Sequence, residues 1–205
     1  MNYSQLASKE DIEKTMEALE KNGINSTLVE TGKDAFERIK TLIPAGASVM
    51  NGSSVTLETI GFVDYLKSGT HPWNNLHATI VAEKDPVKQS ALRKQSTLSE
   101  YYLGSVHALT HGGEMVIASN TGSQLPHVVF TSPNSIFVVG VQKLVASLPD
   151  GLKRLEEYVY PLEDKHMKDL GYGGSMISKI VIFKKENKMM GRSVRVVLVN
   201  EVLGF

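Results

Sequence analysis

The sequence predicts an α/β domain. Two observations carry that prediction: short apolar, β-branched runs alternate with segments of helical periodicity from end to end, and no repeat, low-complexity tract or long linker interrupts them. A third sets the scale. At 205 residues the chain has the size of one domain and can bury a core without staples. We read residues 1–205 as a single unit with a small helical subregion over 1–22.

The elements follow in order. Residues 9–22 form a helix: Ser8 and Asp11 have capping-box spacing, Ile12, Met16 and Leu19 share a face, and Gly23 stops it. Ile24 to Glu30 is a strand. Asp34 to Ile43 is a helix striped by Phe36, Ile39 and Ile43 and closed by Pro44. Ala47 to Met50 is a short strand, and a helix over 55–67 ends at Ser68-Gly69. Leu76 to Ala82 (LHATIVA) reads as a buried strand. Asp85 is an N-cap and Pro86 a first-turn proline of a long helix reaching about Leu103. Val106 to Thr110 and Glu114 to Ser119 flank His111-Gly112-Gly113, a hairpin signal. After a loop over 120–126, Ser135 to Val141 (SIFVVGV) is the strongest buried strand. Leu152, Leu155, Val159, Leu162, His166 and Leu170 mark an amphipathic helix. Pro161 lies inside it, lacks an N–H to donate and predicts a kink or break. Residues 171–175 are a flexible link, and Lys179 to Phe183 and Val194 to Val199 are the final strands.

Composition narrows the function. Lys plus Arg number 22 and Asp plus Glu number 22, so there is no basic excess to displace counterions from a nucleic acid. The absence of cysteine removes thiolate nucleophiles and Fe–S or zinc sites built on this chain's own thiolates. No apolar run approaches a membrane span, and the polar stretch Met1 to Glu10 lacks a signal-peptide core, so the expected location is cytoplasmic.

Two loops hold the candidate chemistry. Asn51-Gly52-Ser53-Ser54, between a strand and a helix, combines free backbone N–H groups with the hydroxyls of Ser53, Ser54 and Thr56, and Glu58 lies one turn on. The pattern fits an anion site, and equally a helix cap with a tight turn. In the second region His111 and Glu114 are the acid–base candidates, and Asn120, Gly122, Ser123 and Gln124 follow as a polar loop. A plain hairpin and surface loop explain the same residues. His107 and His111, with Glu114 or His127, match no metal-binding signature, and no metal is expected.

Three segments together resemble the LUD domain family, the lactate-utilisation domains of the LutC/YkgG type. They are Met50-Asn-Gly-Ser-Ser-Val-Thr-Leu-Glu-Thr-Ile-Gly61; the stretch from Ser105 to Ser119 continued through Asn120-Thr-Gly-Ser-Gln-Leu-Pro126; and Val138-Val-Gly-Val-Gln-Lys-Leu-Val145 with Val197 to Phe205. The resemblance implies a Rossmann-like three-layer sandwich with a mostly parallel sheet, related to ribose-5-phosphate isomerases, glucosamine-6-phosphate deaminases, CoA transferases and 5-formyltetrahydrofolate cyclo-ligases. In those relatives glycine- and serine-rich turns at strand ends hold phosphate or carboxylate groups. The resemblance further implies oxidation of L-lactate to pyruvate alongside Fe–S-bearing partner proteins. Many relatives carry an acidic residue where His111 stands. Some branches have a cysteine-rich segment before the final strands. Residues 171–191 have none here, which puts electron transfer in another chain.

Two functions are therefore expected: a ligand-binding accessory component of a lactate-utilisation-type pathway, or a stand-alone isomerase- or transferase-type enzyme acting on a phosphorylated or CoA-linked molecule. Neither needs a cofactor in this chain, a membrane or a nucleic acid. A homodimer is compatible with both.

Overall fold

The structure, a computed structural model, describes residues 2–205. Six parallel strands form the central sheet, in the order β1 (Asn25–Val29), β10 (Ser193–Val199), β7 (Asn134–Gly140), β4 (Tyr101–Gly104), β2 (Ser48–Asn51) and β3 (Asn74–Asn75). Its inner strands are apolar on both faces, as a sheet covered on both sides requires. Along β7, Ile136 and Val138 enter one core while Phe137 and Val139 enter the other. Strand β10 divides the same way, with Val196 and Leu198 against Val197 and Val199.

Helices α2 (Gly32–Leu42), α3 (Val55–Thr59) and α4 (Phe62–Ser68) cover one face. The other face is covered by α1 (Lys9–Lys21) and a second sheet, in the order β8 (Leu144–Val145), β5 (Ala108–Thr110), β6 (Met115–Ser119) and β9 (Lys179–Phe183). The outer side of that second sheet packs on α7 (Leu148–Arg154) and the π-helical turn Leu155–Val159 that leads into α8 (Tyr160–Asp169). The sandwich expected for the large sheet is present, with one cover made largely of strands.

Four expectations change in detail. Leu76–Ala82 is not a strand but helix α5. Asn75 caps it by accepting from the Ala78 N–H at 3.2 Å, and only Ile80 of the run is buried. A seven-residue apolar run fits either structure, and the cap decides. The long helix also stops early. Helix α6 (Pro86–Gln95) ends in a 3₁₀ turn over Ser96–Leu98, and Tyr101–Gly104 becomes an inner strand of the sheet. The helix expected over 55–67 is two helices, because Gly61 adopts φ +79 between α3 and α4. At Pro161 the expected kink or break takes the form of a switch of hydrogen-bond pattern, with the π-helical turn immediately ahead of it. The hairpin over residues 108–119 forms as expected, with Gly113 at φ +81 in its turn. No helix among the described residues is long and apolar enough to cross a membrane.

Candidate functional site

Parallel sheets offer a ligand crevice where neighbouring strands send their chains to opposite faces. Here that happens between β2 and β4. After β2 the chain enters the face holding Leu57, Phe62 and Leu66; after β4 it enters the face holding Val106, Leu109 and Ile117. The loop Gly52–Ser54 and residue Ser105 stand at the carboxyl ends of these two strands, and the Gly52 N–H donates to the Leu103 carbonyl at 3.1 Å.

Beside this crevice lies Lys143, at the end of the short turn after β7. It is 2% exposed, yet no carboxylate lies within ion-pair distance among the described residues. Its ammonium donates to the Thr56 hydroxyl at 2.9 Å and to the Ser105 hydroxyl at 3.1 Å. Those hydroxyls pass their own protons to main-chain carbonyls, Thr56 to Leu203 at 3.2 Å and Ser105 to Val138 at 2.7 Å. Burial, and next the charge of Arg154, pull the Lys143 amine down to about 7. The same burial, with Lys143 and Arg154 adding to it, holds the nearby His107 imidazole neutral, at about 3. Its Nδ1 accepts from the Ala118 N–H at 3.0 Å. The site thus holds a buried amine without a counter-charge among the described residues.

Gln124 joins the first loop from the second. Its Nε2 donates to the Ala118 carbonyl at 3.0 Å and its Oε1 accepts from the Tyr102 hydroxyl at 3.2 Å. A Cβ on Gly52 would lie 2.5 Å from that hydroxyl and 2.6 Å from Gln124 Oε1, so any larger residue there forces Tyr102 and Gln124 to shift. Burial pushes the Tyr102 phenol well up, so it remains a hydrogen-bond donor. Asn51 is buried, and its Oδ1 has no partner among the described residues. Residues 200–205 close one side: Leu203 and Gly204 accept from Gln142 Nε2 at 3.0 and 3.4 Å, and Glu201 accepts from the Gly32 N–H at 2.9 Å.

The structure therefore brings Asn51, Gly52 and Thr56 to the crevice, with Ser53 and Ser54 in the same turn, and sets Gln124 against Gly52. Ser53 is exposed, and Ser54 caps α3 by accepting from the Leu57 N–H at 3.3 Å. The remaining candidates face elsewhere. Asn120 meets Ser178 and Lys179, Gly122 packs on the Lys179 side chain, and Ser123 pairs with Thr121 in the exposed turn. His111 approaches Asp11 of α1 at 3.5 Å, and Glu114 contacts Thr110 and Lys184. Glu58 is exposed and faces α8, where burial raises the Glu163 carboxyl, His166 draws it down, and Glu58 raises it further.

Sequence reasoning missed Lys143, Ser105 and Tyr102. Lys143 had one available signal: it is a lone charge inside the apolar run Val138 to Val145. Tyr102 falls within the helix expected to reach about Leu103, and Ser105 just after it has no local signal of its own.

The chain is similar to known proteins in fold. A structure of a DUF162 family protein from Deinococcus radiodurans aligns with TM-score 0.53 and 10% identity, covering 95% of this chain and 98% of that one. Ribose 5 phosphate isomerase A from Neisseria gonorrhoeae aligns with TM-score 0.36 and 13% identity, over 77% of this chain and 76% of that one. No curated protein sequence matches. The LUD domain model matches residues 12–199, from the first helix to the end of β10, and so the chain belongs to the LUD domain family.

Proposed function

We propose that the chain binds a small organic anion in the crevice between β2 and β4, as a ligand-binding component of lactate-utilisation-type metabolism. One observation carries the reading: Lys143, buried against two hydroxyls that are already spent as donors, has no negative partner among the described residues. Burying a cation costs several kcal/mol unless something neutralises it. A ligand carboxylate supplies that charge, and the Gly52 turn lets its backbone approach closely. The unpartnered Asn51 Oδ1 suits a hydroxyl on the same ligand, which makes a hydroxy acid such as L-lactate the first candidate. Helix α3 is five residues long, so its dipole adds little and Lys143 is the main attraction. In this reading Asn51, Gly52, Ser53, Ser54, Thr56 and Gln124 line the ligand with Lys143 and Ser105. Redox chemistry belongs to Fe–S partner proteins.

Calorimetric titration of L-lactate, pyruvate, ribose 5-phosphate and a CoA ester tests it. The expected outcome is saturable binding of a hydroxy or oxo acid that falls at least tenfold in Lys143→Met. Binding unchanged in that variant overturns the assignment of the crevice.

A second reading, an isomerase- or transferase-type enzyme, is favoured by the same amine. Near neutral pH about half of it is free base, which suits proton transfer. Turnover of a phosphorylated or CoA-linked compound by the isolated chain, lost in Lys143→Met, selects this reading over the first.

A further inference from the structure

Away from the crevice the fold buries a second uncompensated cation. Arg154, the last residue of α7, is fully buried. Its Nη1 donates to the His107 carbonyl. Its Nε and Nη2 are buried and have no partner among the described residues. Those two N–H groups point in parallel along one edge of the guanidinium. That edge is the one able to grip two oxygens of a single carboxylate or phosphate.

A second unpartnered polar group lies on a ring beside the guanidinium. The Tyr3 hydroxyl is likewise buried and without a partner among the described residues. The guanidinium carbon lies 5.7 Å from the Tyr3 ring centre and 5.3 Å from that of Tyr158, and the two rings are 5.1 Å apart. The aromatic faces offset part of the cost of burying the charge, but they leave the free edge unsatisfied. The Tyr158 hydroxyl is already taken, at 3.3 Å from Ser4 Oγ. No carboxylate reaches Arg154 among the described residues. Burial lowers the guanidinium only to about 10, so its charge persists at any working pH.

We propose that Arg154 Nε and Nη2, with the Tyr3 hydroxyl, form a binding site for a small oxyanion, a carboxylate or phosphate group, beneath the N-terminal segment that carries Tyr3. The site does not depend on the crevice reading, since Lys143 is not among its donors. Occupancy nevertheless reaches the crevice. The Arg154 charge is one of those depressing Lys143 and His107, and a bound anion cancels it.

The probes are inorganic phosphate and acetate, titrated at constant ionic strength into the full chain and read by calorimetry and thermal unfolding. We expect saturable binding of at least one anion. It is lost in Arg154→Met, weakened about tenfold in Tyr3→Phe, and retained in Lys143→Met. Tyr3→Phe keeps the ring and removes only the hydroxyl, so it tests the site even if Arg154→Met fails to fold. The proposal is overturned if neither anion binds, if affinity is unchanged in Tyr3→Phe, or if binding survives in Arg154→Met and disappears in Lys143→Met. That last pattern would instead assign the anion to the crevice.

Discussion

At the scale of single residues, the fold places two cations, Lys143 and Arg154, in its interior. Lys143 ionises in the unfolded chain near the ordinary lysine value but only near 7 when folded. Between those pH values the unfolded chain takes up the proton and the folded chain does not. Stability therefore rises as pH increases from 7 towards 10, by up to about 1.4 kcal/mol per pH unit. Denaturant unfolding at several pH values should show this slope in the wild type and its loss in Lys143→Met. Gly52 acts by absence. Gly52→Ala drives a Cβ into the Tyr102 hydroxyl and Gln124, with an expected cost of about 1–3 kcal/mol. Ligand binding should weaken together with the melting temperature; a variant as stable as the wild type would show that the loop yields freely.

At the scale of elements, the backbone around the crevice is set by short, sharply bounded pieces. Thr31 and Asp34 cap α2 reciprocally, and Glu201 reaches in from the C-terminal residues to accept from Gly32. Gly61 ends α3 after five residues and starts α4 in a new direction. Its φ of +79 and the open space around the position isolate the conformational term. Gly61→Ala should therefore cost about 1–2 kcal/mol, without the clash expected at Gly52. Chemical denaturation measures it, and a neutral result would mean that the turn adopts another backbone path. The π-helical turn has a consequence of the same kind. It sits between Arg154 and Pro161, so the local hydrogen-bond pattern changes right beside the buried guanidinium.

At the scale of the whole molecule, two imidazoles, His127 buried and His107 half-buried, link the interior to solution pH. Burial lowers His107 to about 3, with Lys143 and Arg154 contributing, and lowers His127 to about 4. His127 stacks on Tyr102 at 4.8 Å, and its Nδ1 lies 3.2 Å from Ser99 Oγ and 2.9 Å from Ser132 Oγ. Below the ordinary histidine value near 6.5 only the unfolded chain protonates at these two positions. Stability should drop as pH falls from 6.5 to 4, by up to about 1.4 kcal/mol per pH unit for each histidine. NMR titration should find no midpoint above pH 5 for either ring. A midpoint near 6.5 would mean that water reaches them.

The order of most elements was legible in the sequence, because hydrophobic period and turn chemistry are local. The run Ser135 to Val141 announced a doubly covered strand, and His111-Gly112-Gly113 announced a hairpin. Local rules failed at Leu76–Ala82, where an apolar run of that length satisfies both periods, and at Tyr101–Gly104, where pairing with β2 and β7 outweighed the helical pattern before it. Half of the crevice was legible too, since a Gly-Ser turn after a strand is a local feature. The other half was not. Lys143 meets Thr56 from 87 positions away, and Arg154 meets His107 from 47. Local pattern can say that a residue lies in an apolar run. Whether a charge buried there finds a counter-charge depends on which distant segments pack around it, and that only the tertiary structure decides.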